Sequence, residues 1–129
     1  NGEKIAVSGN TELLKSLLAT GFPYDVREKP DAVLAALGKL LTRCQGVRRA
    51  GAAALDLAYV ACGRLDGFWE IKLKPWDTAA GLLLVDEAGG TVTDFKGGPY
   101  SPFVPELASS NGLLHAELTA HLQEFSMKQ

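Results

Sequence analysis

From position 78 to 88 the sequence runs Thr-Ala-Ala-Gly-Leu-Leu-Leu-Val-Asp-Glu-Ala, and a Gly89-Gly90 pair follows. A helix apolar almost all round has no face suited to water, so it has to be buried between layers of other structure. The glycine pair marks its end, because glycine closes a helix in the left-handed conformation at no Cβ cost. Asp77 stands just before it, a favoured N-cap residue whose oxygen can accept from first-turn N–H groups. One carboxylate is thereby fixed at the mouth of a buried helix.

The rest of the chain supplies elements that can form those layers. Ile5 and Val7 alternate with polar neighbours over residues 4–8, which predicts a strand, and residues 13–20 form an apolar run open to either a strand or a helix. Pro30 and Asp31 start a segment in which Val33, Leu34, Leu37, Leu40 and Leu41 recur at helical spacing to near Cys44. Residues 46–49 are short and basic. Gly51 then leads into an alanine-rich helix over residues 52–61 that ends at Gly63. Residues 65–73 read as a strand, with Asp66-Gly67 as a turn, Trp69, Ile71 and Leu73 on one face, and Phe68, Glu70 and Lys72 on the other. Pro75 breaks it. Residues 91–95 and 107–109 predict further strands around a Gly- and Pro-rich loop, and residues 113–127 an amphipathic closing helix. Strands alternating with helices specify an α/β layered fold, a mixed sheet packed between helices, with residues 1–129 as a single domain.

Composition removes several classes of function. The 129 residues are 47% hydrophobic, enough for a core, and a formal charge of −2 gives no basic field to draw in nucleic acid. No apolar run approaches the roughly 20 residues of a membrane span, and the start at Asn1 has no secretion-signal pattern, so a cytoplasmic protein is expected. Cys44 and Cys62 form no Cys-x-x-Cys pair and read as small buried apolar residues. Asn1-Gly2 is a hairpin-turn dipeptide, as if half of a hairpin preceded it.

Two carboxylates are candidates for chemistry. Glu70 lies seven residues before Asp77, and a strand followed by a proline turn can bring both to one rim, where they would suit a cation or a polyhydroxyl ligand. On the residues alone the plainer readings come first, Asp77 as a helix cap and Glu70 as a solvated partner of Lys72 or Lys74. Gly51, at a helix start, allows a ligand close to exposed N–H groups. His115 and His121 point to different faces of the last helix, which argues against a shared metal and places both on the surface. Arg48-Arg49 could meet a phosphate, a subunit or only solvent.

The run Trp76-Asp77-Thr78-Ala79-Ala80-Gly81, followed by Glu87-Ala88-Gly89-Gly90, resembles the carboxy-terminal motif of the inositol monophosphatase family, magnesium-dependent sugar-phosphate phosphatases. The resemblance extends through Asn1-Gly2, Val7-Ser8, residues 20–24, residues 48–54 and Glu70. The family's amino-terminal motif, Asp-Pro-x-Asp-Gly-Thr with an upstream Glu, has no counterpart; Asp66-Gly67 lacks the flanking residues. The chain therefore resembles the carboxy-terminal portion of such an enzyme, half of a five-layer αβαβα sandwich.

That resemblance implies a function. Asp77 would be catalytic, binding a Mg²⁺ ion and touching a substrate hydroxyl; Glu70 would accept a hydrogen bond from the inositol ring, and Gly51 and Ala53 would line it. In such enzymes Mg²⁺ polarises the phosphate and lowers the pKa of the attacking water. The implied reaction is hydrolysis of inositol monophosphate, with this chain inactive alone because one carboxylate and waters cannot hold the ions. Homodimerisation or association with the amino-terminal half is implied, with a small sugar phosphate as ligand and neither nucleic acid nor membrane as partner. Fructose 1,6-bisphosphate and 3′-phosphoadenosine phosphates are alternative substrates. A regulatory module binding the transcription machinery is the alternative from another class.

Overall fold

A computed structural model describes residues 4–101, 103 and 105–127; the Asn1-Gly2 turn lies outside the described residues. Five strands form one sheet: β1 (Leu17–Thr20), β2 (Gly46–Arg48), β3 (Gly67–Ile71), β4 (Thr91–Thr93) and β5 (Glu106–Ser110), in the order β2-β1-β3-β5-β4. β1 runs parallel to both β2 and β3, while β5 is antiparallel to β3 and β4. The sheet is mixed because the connections from β1 through β4 each carry a helix, whereas β4 returns to its antiparallel neighbour β5 without one.

Two helices cover each face. On one side α1 (Asp31–Leu41) and α4 (His115–Leu122) bury Leu18, Leu40, Trp69, Ala108, Leu118 and Leu122. On the other, α2 (Ala53–Ala61) and α3 (Pro75–Glu87) bury Ala19, Leu57, Val60, Phe68, Val85 and Leu107. The alternation of Phe68 and Trp69 between these clusters follows from the period of two along β3. The α2–α3 pair meets closely at Gly81: a Cβ there would stand 2.6 Å from Leu57 Cδ1. Among the described residues no helix is long and apolar enough to cross a membrane.

Several expectations are corrected. Residues 4–8 are not a strand: one backbone bond, Val7 N–H to Ala88 O at 3.2 Å, ties the segment to the end of α3, and no sheet strand pairs with it. The basic segment at 46–49 contains β2, too short to show a period. Asp66-Gly67 is not a separate turn, since Gly67 already opens β3. The Asp66 carboxylate accepts from Ser8 Oγ (2.6 Å) and Leu17 N–H (2.8 Å), fixing the start of β1 beside β3. His115 is buried: one ring nitrogen bonds Thr93 Oγ1 and the other Ser110 Oγ, both at 2.8 Å, because it enters α4 on the sheet side. Cys44 is buried as expected, but Cys62, past the end of α2, is exposed.

α3 differs in two ways. It starts at Pro75, with Lys74 as the N-cap, so Asp77 is the third helical residue rather than the cap. Proline is preorganised for a first helical position, and Asp77 Oδ2 reaches back to accept from Lys74 N–H at 3.0 Å. Nor is the helix buried between layers. Thr78, Gly81 and Val85 face inward, whereas Trp76 and Leu83 are 77% and 62% exposed, because the described residues supply cover on one side of it only.

Candidate active site

The carboxyl ends of the three parallel strands open onto one cleft. In open α/β sheets this is the edge at which crossovers diverge to opposite faces, leaving a crevice outside the strand ends. Here α1 follows β1 on one face, and α2 and α3 follow β2 and β3 on the other. The cleft holds about 340 Å³ and is lined by Gly21 and Phe22 after β1, Arg49 and residues 51–54 after β2, and Glu70, Leu73 and Asp77 from β3, the link after it and α3. Gly51, Ala53, Glu70 and Asp77 thus line one cleft, although they are spread over 27 positions of sequence (51 to 77).

Each is placed by local structure. Gly51 has φ +89°, a conformation that glycine adopts without strain, and it turns the chain from β2 into α2. No side chain caps α2, so its first-turn N–H groups, at Ala53 and its neighbours, face the cleft with only a ligand or water to bond. Glu70 sits near the end of β3 with its carboxylate over Gly21. Asp77 stands in the first turn of α3, where the helix dipole favours negative charge.

Burial, the Asp56 and Asp77 carboxylates together push the Glu70 carboxyl up to about 7, against the opposing pull of Arg49. Asp56, buried in the first turn of α2, is itself pushed up to about 6 by burial. A carboxyl held near neutrality can both donate to and accept from a hydroxyl, a property that suits a polyol ring. Glu70 is not a solvated partner of either lysine: Lys72 pairs with Asp25, and Lys74 lies 5.5 Å over the Tyr24 ring.

The donor set does not by itself fit a divalent cation. Mg²⁺ requires near-octahedral oxygen ligation, and among the described residues no group of three or more His, Cys, Asp or Glu is placed to hold a metal. Asp77 commits one oxygen to Lys74 N–H, and Glu70 is drawn toward its neutral form. These residues supply at most part of a coordination shell.

Phe22 and Gly21 line the cleft without having been singled out for it by sequence, and Arg49, of the Arg48-Arg49 pair, joins them. The Arg49 guanidinium stacks 5.0 Å over the Phe22 ring, joining the β2 side to the β1 side. The sequence signals are the Arg48-Arg49 pair and the reach of the family resemblance over residues 20–24 and 48–54. Arg48 points elsewhere, to a shallow depression shared with Tyr59 and Arg64.

The model of the inositol monophosphatase family matches residues 1–128. The chain belongs to that family. The inositol monophosphatase fold is found again in solved structures: the inositol monophosphatase from Anabaena (Nostoc) sp. PCC 7120 aligns with TM-score 0.90 and 49% identity, over 93% of this chain and 48% of that one. Among curated relatives, the Nus factor SuhB of Escherichia coli (strain K12) is 44% identical over 96% of this chain and 46% of its own length. The inositol-1-monophosphatase of Synechocystis sp. is 45% identical over 95% of this chain and 42% of its own. The chain spans about half the length of the curated relatives it matches, roughly their carboxy-terminal half.

Proposed function

We propose that the full-length protein hydrolyses inositol monophosphate or a similar small sugar phosphate with Mg²⁺, and that this chain supplies the ring-binding wall and one metal-binding carboxylate. The observation that carries the reading is the convergence of Gly51, Ala53, Glu70 and Asp77 on one cleft at the strand ends of a family member. Glu70 takes a ring hydroxyl, the α2 N-terminus takes further oxygens, and Asp77 binds the ion jointly with ligands from outside this chain. Because the chain's own share of the shell is partial, residues 1–129 alone are inactive. A cytoplasmic homodimer belongs to the same proposal.

Phosphate release by the full-length protein with Mg²⁺, across inositol monophosphate, fructose 1,6-bisphosphate and 3′-phosphoadenosine phosphates, tests this. Preferred turnover of inositol monophosphate supports it; preference for either other substrate reassigns the ring pocket, and no turnover of any overturns it. Turnover by residues 1–129 alone would contradict the division of ligands.

The name Nus factor carried by the Escherichia coli relative supports a second reading, in which the protein also binds the transcription machinery. Exposed Arg48 and Arg64 flank a depression that shares no lining residue with the cleft and offer the surface. A pull-down with Asp77→Asn separates the readings: partner binding kept while hydrolysis is lost means two functions.

A further inference from the structure

The loop after β1 forms part of the cleft wall, with Gly21 and Phe22 lining the cavity, Pro23 buried and Tyr24 exposed. It is held at its far side by Lys72. The Lys72 ammonium pairs with Asp25 Oδ2, and both side chains are largely covered, at 29% and 14% exposure. Asp25 Oδ1 is buried with no hydrogen-bond partner among the described residues, so the lysine is the group that compensates this carboxylate. Lys72 reaches it from an unusual backbone. It has φ +61° immediately after β3, and among the described residues no other non-glycine residue has positive φ. Its N–H is fixed to Pro105 O at 2.7 Å.

A long side chain in a left-handed site that glycine would fill without strain calls for a compensating role. Lys72 lies two residues from Glu70, so the pair fastens the Phe22 wall to the strand that carries Glu70. Lys74, stacked on Tyr24, adds a second tie between the same two segments. We propose that Lys72, through Asp25, is a positioning residue that sets the width of the ring pocket and hence the affinity for a polyol phosphate.

This rests on the phosphatase reading, and the test separates the two. In the full-length protein, Lys72→Met and Asp25→Asn raise KM for inositol monophosphate about tenfold with kcat within about twofold, as expected for lost ground-state positioning. Amides of residues 21–29 exchange hydrogen faster in both. Lys72→Arg restores the wild-type KM, and Lys72→Gly, which relieves the backbone, behaves like Lys72→Met in KM while melting no lower than wild type. Unchanged KM and unchanged loop exchange in Lys72→Met and Asp25→Asn overturn the proposal, as does a wild-type KM in Lys72→Gly. Absence of any wild-type turnover sinks the phosphatase reading instead, and loop exchange alone then decides whether the latch exists.

Discussion

The Glu70 carboxylate rests on the α-carbon of Gly21, so closely that a Cβ at that position would stand 2.6 Å from Glu70 Cδ. Glu70 lies on β3 and Gly21 directly follows β1, its parallel neighbour, and the absence of a side chain on one makes room for the functional group of the other.

Gly21→Ala is therefore predicted to displace Glu70 rather than to unfold the protein, because the clash is with the end of a flexible side chain. Stability falls by less than about 1 kcal/mol, while affinity for inositol monophosphate drops about tenfold or more. Thermal melting and steady-state kinetics on the full-length protein check this; an unchanged KM would show that Glu70 does not meet the substrate from its present position.

Gly81→Ala carries the opposite expectation. Its Cβ would lie 2.7 Å from Leu57 Cβ, an atom fixed to the backbone of α2, so the helices must separate. Overpacking of this kind costs about 1–3 kcal/mol. A denaturant midpoint equal to wild type would contradict the close α2–α3 contact.

Glu70 and Asp56 make stability depend on pH. Their ordinary values are 4.5 and 3.8, and burial first of all raises them to about 7 and about 6 in the folded chain. Between roughly pH 4 and 7 the folded state thus binds more protons than the unfolded one, and stability falls as pH rises through that window. His115 opposes this: burial lowers its pKa, so its contribution is lost as pH falls below 6.5. Comparison with Glu70→Gln isolates the carboxyl. The variant gains on the order of 1–2 kcal/mol at pH 8, discounted for partial exposure, and little at pH 5. An equal gain at both pH values would rule out the raised Glu70 pKa.

What sequence could show follows from range. α1 and α2 are legible because apolar spacing, Pro30 and Gly63 are local signals, and β3 because its alternation matches two buried faces. β2 is too short for a period, and residues 4–8 have a strand's alternation without a strand's partner. Trp76 and Leu83 on α3 required cover that composition announced and the described residues do not provide. Within the site, Asp77, Glu70 and Gly51 are candidates on the residues themselves and Ala53 enters through the family resemblance, while Gly21, Phe22 and Arg49 come to the cleft by β1–β2–β3 pairing across distant sequence. The Asp25–Lys72 pair is of the same kind, since no local pattern links positions 47 residues apart.

The central claim is that Asp77 grips a divalent ion in concert with ligands outside this chain, and Asp77→Asn in the full-length protein tests it most directly. Asparagine keeps an oxygen that can accept from Lys74 N–H, so the start of α3 and the melting temperature are predicted to hold, while Mg²⁺-dependent phosphate release from inositol monophosphate falls by about two orders of magnitude or more. Unchanged release with unchanged Mg²⁺ dependence would contradict the account.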